Sequence, residues 1–215
     1  MNNTTTPPAT LVLATCNTLN LALPNRPYYP NQDPWSDSEY RRKIDWLGLM
    51  ILRLNADVIA FQEVWDEAAL RDAVAASGLR YAHISAPGAE LGAQGTPRVA
   101  LVSRLPLREV VSHAQFAPGQ TFQIPEIGEQ NGFERPVLEG IVELPEGRGT
   151  LRVLTAHLKS KRPKFVQNAA GEPLEDRDDP VIAARATVRS LLMRRHSNVV
   201  ACALAGLTTT TCGTL

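Results

Sequence analysis

Two short apolar runs, each closing on polar side chains, constrain this chain more than any other feature. Residues 11–16 (L-V-L-A-T-C) run into Asn17, and residues 57–61 (D-V-I-A-F) run into Gln62 and Glu63. Nearly continuous apolar runs of this length read as strands covered on both faces. Between them Ser36 and Glu39 have the spacing of a capping box, and Tyr40, Ile44, Leu47, Ile51 and Leu54 recur at helical intervals, so a helix spans about residues 37–54. Strand, helix and strand in this order predict an α/β layered domain with mixed sheets.

The remainder of the chain follows the same grammar less clearly. Residues 23–35 hold four prolines and read as a loop. Residues 66–76 are helical in composition, with Asp66 and Glu67 suited to the positive helix start. Residues 81–84 and 99–102 read as strands, and residues 137–144 and 151–158 as an antiparallel pair around P-E-G-R-G. Residues 112–135 show no period and are expected to form a long loop. A final helix is expected at residues 181–195, followed by an apolar, strand-like run at 198–205.

Composition excludes more than it assigns. The 22 basic and 22 acidic residues balance, so any anion binding must come from a local patch. Cys16, Cys202 and Cys212 lack zinc or redox spacing and are expected to be bystanders in a reducing compartment. The first residues lack the pattern of a signal peptide and no apolar run reaches membrane-spanning length, so a soluble, cytoplasmic monomer is expected.

Residues 151–163 (L-R-V-L-T-A-H-L-K-S-K-R-P) supply such a patch. They deliver His157 from an apolar strand into Lys159, Ser160, Lys161 and Arg162, a set suited to neutralising and orienting a phosphate ester. A strand ending in a solvated basic turn has the same pattern. Glu63 at the lip of a buried strand is costly unless it meets a cation or open water, and Mg²⁺ would suit it. Asn17, and less so Asn20, offer amide oxygens at another strand end, or simply form turns. Functional side chains of open α/β sheets collect beyond the carboxyl ends of strands, where Asn17, Glu63 and His157 are all expected.

The segments T-C-N-T-L-N (15–20), D-V-I-A-F-Q-E-V (57–64), V-A-L-V-S-R-L-P-L (99–107), E-R-P-V-L (134–138) and T-A-H-L-K-S-K-R-P (155–163) occur in an order that resembles the endonuclease/exonuclease/phosphatase superfamily, with the fold of deoxyribonuclease I. The stretch from His157 through R-S-L-L-M-R-R (189–195) is most similar to the bacterial nuclease-like branch. The resemblance implies a four-layered α/β sandwich of two packed mixed sheets flanked by helices. It also implies dependence on Mg²⁺, with Mn²⁺ or Ca²⁺ as substitutes, and hydrolysis of phosphodiesters or phosphomonoesters, nucleic acid among them. Carried over, it makes Glu63 the principal metal ligand, with Asn17 beside it in the metal and phosphate network. His157 becomes the catalytic histidine on the scissile phosphate, and Arg135 a phosphate contact, although a surface arginine before Pro136 reads the same way. Lys159 and Ser160 would line the pocket, whereas Ser103 and Arg104 read as structural.

Two motifs that the resemblance implies are missing from this sequence: a Gly-Asp-x-Asn strand end that activates water, and a late Ser-Asp-His. The 215 residues contain no Gly-Asp pair. The expected domain therefore spans residues 10–198 and is incomplete at its C-terminus, with an atypical Thr-rich tail at 199–215. Threonine codons (ACN) read two bases later give NAC, which encodes Asp, Asn, His or Tyr, so a frame-shifted end from about His196 is one expectation and a disordered tail the other. Impaired activity and poor stability follow from the first.

Overall fold

The computed structural model describes residues 10–29, 31–88, 95–158, 160–168 and 171–206. The element order is β1 (Leu13–Leu21), α1 (Asp37–Leu54), β2 (Val58–Val64), α2 (Glu67–Ala76), β3 (His83–Ser85), β4 (Arg98–Ser103), β5 (Leu107–Gln115), β6 (Phe122–Ile124), β7 (Gly128–Gln130), β8 (Gly132–Glu143), β9 (Thr150–Thr155) and α3 (Pro180–Leu204). The sheets have orders β1-β2-β4-β3, β5-β8-β9 and β6-β7, giving the expected α/β class. Two compact units result, one of residues 1–110 and 140–155 and the other of 111–139 and 156–215.

In the first unit, β1 and β2 are parallel, while β4 runs antiparallel to both β2 and β3, so the sheet is mixed. The core lies where α1 and α2 cover it, with Leu21, Leu47, Ile51, Ile59, Phe61, Leu70 and Val102 essentially inaccessible to solvent. Each such side chain contributes about 1.5–3 kcal/mol by leaving water. Full coverage of β1, expected from its apolar run, is not observed: β1 is an edge strand and Leu13 is 52% exposed.

The capping box of α1 forms as its spacing predicts. The Ser36 Oγ accepts the Glu39 N–H at 3.3 Å, and the Glu39 carboxylate accepts the Ser36 N–H at 2.9 Å. Packing of α1 on α2 depends on Gly48, where a Cβ would stand 2.8 Å from the Ala76 Cβ and 2.9 Å from its carbonyl carbon.

The second unit departs furthest from expectation. Residues 112–135 are not one loop but contain the end of β5, the antiparallel β6-β7 hairpin and the start of β8. Three-residue strands are too short to display a period, and the hairpin turn uses positive φ at Glu126 (65°) and Gly128 (107°). Residues 198–205 are not strand-like. They continue α3 to Leu204, since a short Ala-rich apolar run suits a helix as well as a strand. Arg189 is 1% exposed and forms a two-pronged ion pair with Glu175 at 2.8 and 2.9 Å, with Glu126 also against it. Its Nη1 also donates to the Lys164 carbonyl at 3.2 Å, so one buried guanidinium ties residues 164–175 to α3.

Replacing Ser36 with alanine should destabilise the chain by about 1 kcal/mol, measured by urea unfolding. The hydrogen bonds from Ser36 hold the Glu39 carboxyl below its ordinary range. A carboxyl with a depressed folded value stabilises above its unfolded value, and the contribution is lost as pH falls through the folded one. The Ser36→Ala deficit should therefore be full at neutral pH and shrink in acid. Gly48→Ala should cost about 1–3 kcal/mol in the same assay by overpacking the α1/α2 contact.

Candidate functional site

The first unit presents Asn17, Asn20 and Glu63 where β1 and β2 lose register together. The two strands pair regularly from Leu13 opposite Val58 to Asn17 opposite Gln62, then resume only at Leu21 opposite Val64. The β2/β4 ladder breaks at the same level, between Phe61 and Val64. Glu63 sits in this break with φ of 62°, while Leu19 and Asn20 opposite have φ of 53° and 61°. None is glycine, so each left-handed residue costs on the order of 1–3 kcal/mol unless its surroundings fix it.

The surroundings do so by satisfying the polar groups the break leaves behind. The buried Thr18 hydroxyl is shared between the Gln62 and Glu63 carbonyls at 2.8 and 3.0 Å. Leu19 N–H donates to the Asn17 Oδ1 at 2.9 Å, and the Asn20 N–H donates to a Glu63 carboxylate oxygen at 3.1 Å. The Asn17 Nδ2 donates to the other carboxylate oxygen, also at 3.1 Å. Both oxygens of Glu63 are thus oriented by N–H donors, and Asn17 touches the carboxylate through its nitrogen.

A clamp drawn from the proline-rich loop and α1 completes this side. Trp35 donates its indole N–H to the Asn20 carbonyl at 2.9 Å, and Trp65 donates to the Asn20 Oδ1 at 3.1 Å. Tyr28 stacks on Trp35 at 6.0 Å, and Tyr29 meets Trp65 edge-on at 5.0 Å. Asp66 does not cap α2 with its side chain. Its buried carboxylate accepts the Leu23 N–H at 2.8 Å and pairs with Arg26, holding the loop. Lys43 of α1 donates to the Leu19 carbonyl at 2.6 Å and stands 4.5 Å over the Trp35 ring. Burial pushes the Lys43 ammonium below its ordinary value and the Glu63 carboxylate opposes this, while burial raises the Cys16 thiol.

Two other polar strand ends have structural partners. Gln62 donates to the Thr15 and Thr155 hydroxyls, both at 3.1 Å. Ser103 bonds to the backbone of Leu105, while Arg104 donates to the Asn55 side chain at 2.7 Å and lies over Tyr81.

The second unit brings Arg135 and His157 together. The strand β9 ends at Thr155, so His157 lies two residues beyond it rather than within it. Arg135, on β8, donates through Nη1 to the carbonyls of His157 and Leu158 at 3.3 and 3.5 Å. A cavity of about 10 Å³ adjoins Arg135, His157, Phe133, Met193 and Ser197, room for about one water molecule. Ser160 is exposed and accepts the Arg162 N–H at 3.4 Å, and Lys164 pairs with Glu134 at 3.6 Å. Lys159 lies outside the described residues.

Among the described residues no three histidine, cysteine, aspartate or glutamate side chains cluster closely enough to hold a metal ion. The donor chemistry of Glu63 suits a hard divalent cation, because Mg²⁺ takes one or two carboxylates with water completing its shell. Sequence reasoning missed Lys43, Trp35 and Trp65. Their signal is absent from periodicity, since Lys43 reads as an ordinary polar position on α1.

Residues 14–184 match the sequence profile of the Endonuclease/Exonuclease/phosphatase family. Among solved structures, an endonuclease/exonuclease/phosphatase family protein from Leptotrichia buccalis is 14% identical with a TM-score of 0.40, the match covering 86% of this chain and 61% of that one. A hairpin-deletion mutant of beta toxin from Staphylococcus aureus is 19% identical with a TM-score of 0.44, covering 70% and 52%. An endonuclease/exonuclease/phosphatase from Beutenbergia cavernae is 17% identical with a TM-score of 0.37, covering 69% and 38%. The chain therefore spans less than two thirds of the length of each. No curated protein sequence is significantly similar to it.

Replacing Thr18 with valine, which keeps the shape but not the hydroxyl, should destabilise the chain by about 1–3 kcal/mol, because two part-buried carbonyls lose their donor. Chemical denaturation of the variant against the parent measures it.

Proposed function

Because the chain belongs to the endonuclease/exonuclease/phosphatase family, we propose that it is a nuclease-like phosphodiesterase dependent on Mg²⁺. The observation that supports this reading most is the Glu63 carboxylate, lifted out of both ladders at the ends of two parallel strands and oriented by donors from Asn17 and Asn20. The family generally uses divalent metal ions, and such an ion, when bound, supplies Lewis-acid stabilisation of charge on a phosphoryl oxygen.

In this reading Glu63 holds the cation, and Asn17 orients Glu63 while remaining in the metal and phosphate network. His157 is the catalytic residue that hydrogen-bonds the phosphate and moves a proton at an imidazole nitrogen. Arg135 anchors the backbone at His157 and Leu158 and contributes positive charge there. Lys159 and Ser160 are assigned to the phosphate as well, on sequence grounds alone. DNA, RNA and smaller phosphodiesters all fit this chemistry, and the loops that choose among them follow no spacing rule. No helix among the described residues is long and apolar enough to cross a membrane.

A second reading is binding of cation and phosphate without turnover, for which the oriented Glu63 carboxylate would serve equally well. The two readings separate in one assay. With Mg²⁺, the chain should cleave plasmid DNA or bis(4-nitrophenyl) phosphate; Glu63→Ala should abolish the Mg²⁺ stimulation, and His157→Ala should lower the rate by about 10²–10⁴-fold. Calorimetric Mn²⁺ binding that is lost in Glu63→Ala, without cleavage by the parent, would establish the second reading. Neither cleavage nor binding would refute both.

A further inference from the structure

The left-handed pair Leu19 and Asn20 has every backbone polar group occupied, and the four partners are of different kinds. Leu19 N–H bonds to the Asn17 side chain and Asn20 N–H to the Glu63 carboxylate, while Lys43 takes the Leu19 carbonyl and Trp35 the Asn20 carbonyl. Three of these partners are contributed by residues of β1, β2 and the loop before α1. Lys43 alone comes from the body of α1, and it alone is a cation. It is held on two sides, by the carbonyl at 2.6 Å and by the Trp35 ring at 4.5 Å.

A half-buried ammonium is a costly way to satisfy one carbonyl that water could reach, unless the position of that carbonyl matters. Leu19 is 70% exposed, so its own side chain gives the turn little packing. Without Lys43 the carbonyl of the peptide between Leu19 and Asn20 would lose the ammonium that holds it. That peptide carries the Asn20 N–H that orients Glu63, and it carries the Leu19 carbonyl that Lys43 grips. One planar group therefore links the two side chains.

We propose that Lys43 is a positioning residue for Glu63, acting through the Leu19–Asn20 peptide, whose carbonyl it holds and whose N–H fixes the carboxylate. The part of this inference that concerns cation affinity rests on Glu63 being the metal ligand. The part that concerns the peptide does not.

The test uses the full chain with Lys43→Met, which keeps an unbranched apolar stem, and Lys43→Arg, which restores the charge and donors. Amide hydrogen exchange followed by NMR should show the Asn20 N–H exchanging about tenfold faster in Lys43→Met, the loss expected of one charge-assisted hydrogen bond, with recovery in Lys43→Arg. Calorimetry should show Mn²⁺ affinity falling by about the same factor in Lys43→Met, since displaced partners of a metal ligand weaken binding about 10- to 100-fold. Unchanged exchange at Asn20 overturns the proposal. So does a rise shared equally by Ile59 and Val102 in the middle of the sheet, which would make Lys43 a general stabiliser. A parent that shows the Asn20 effect but binds no Mn²⁺ would sink the metal assignment of Glu63 and leave the positioning role standing. If Lys43→Met does not fold, Lys43→Gln is read by the same criteria.

Discussion

A peptide that leaves a β-ladder must find other partners for its N–H and C=O, and in the first unit this requirement governs everything around Glu63. Both ladders flanking β2 break at one level. The freed carbonyls of Gln62 and Glu63 converge on one hydroxyl, that of Thr18, which is 2% exposed. Opposite, two residues turn left-handed, and the groups they expose are taken by an amide, a carboxylate, an ammonium and an indole. The break thus converts backbone bonds shared between strands into side-chain bonds that converge on one carboxylate. The cost of three left-handed residues is met by this network rather than by glycine.

The second unit solves a different problem with the same economy. Its described residues between 160 and 175 have little regular structure, and two arginines fix what lies at either end. Arg189 is buried against Glu175 and the Lys164 carbonyl, and Arg135 holds the carbonyls of His157 and Leu158. Guanidinium suits both places, because its several N–H donors reach a carboxylate and a carbonyl from Arg189 and two carbonyls from Arg135. In the basic run after His157, Lys161 and Arg162 are exposed, while their neighbours are tied to the rest of the unit. Lys164 faces Glu134, and the Arg162 backbone is tied to the Ser190 hydroxyl.

The sequence made the elements that bury apolar faces readable, along with the polar residues that follow them. The capping box and stripe of α1 delivered its bounds, and the apolar run before Glu63 placed it near the end of β2, whereas β1 runs past Asn17 to Leu21, with the break in pairing directly after Asn17. What escaped reading depends on conformations that side-chain chemistry does not announce. Asn20, ranked below Asn17, became the centre of the network through a left-handed φ of a kind associated with glycine. Lys43 sits on a helix face where a lysine is unremarkable in pattern. The hairpin β6-β7 is too short for a period to emerge, and the apolar run at 198–205 satisfies helix and strand alike, its alanines tipping it to α3.

The bonding of Asn17 has a consequence for how any cation would be held. The Asn17 amide gives its nitrogen to Glu63 and accepts the Leu19 N–H on its oxygen, so it orients the carboxylate through a direct bond. Among the described residues no second acidic or imidazole ligand set gathers there. In the role proposed for Glu63, affinity for a cation would depend on how rigidly that carboxylate is aimed. Rigid aim is served by donors on both oxygens, and β1 supplies one to each, one from a side chain and one from a left-handed peptide. The strain in that peptide is therefore tied to the orientation of Glu63: relaxing Leu19 and Asn20 into an ordinary extended ladder would favour the strand and remove one of the two donors that define the site.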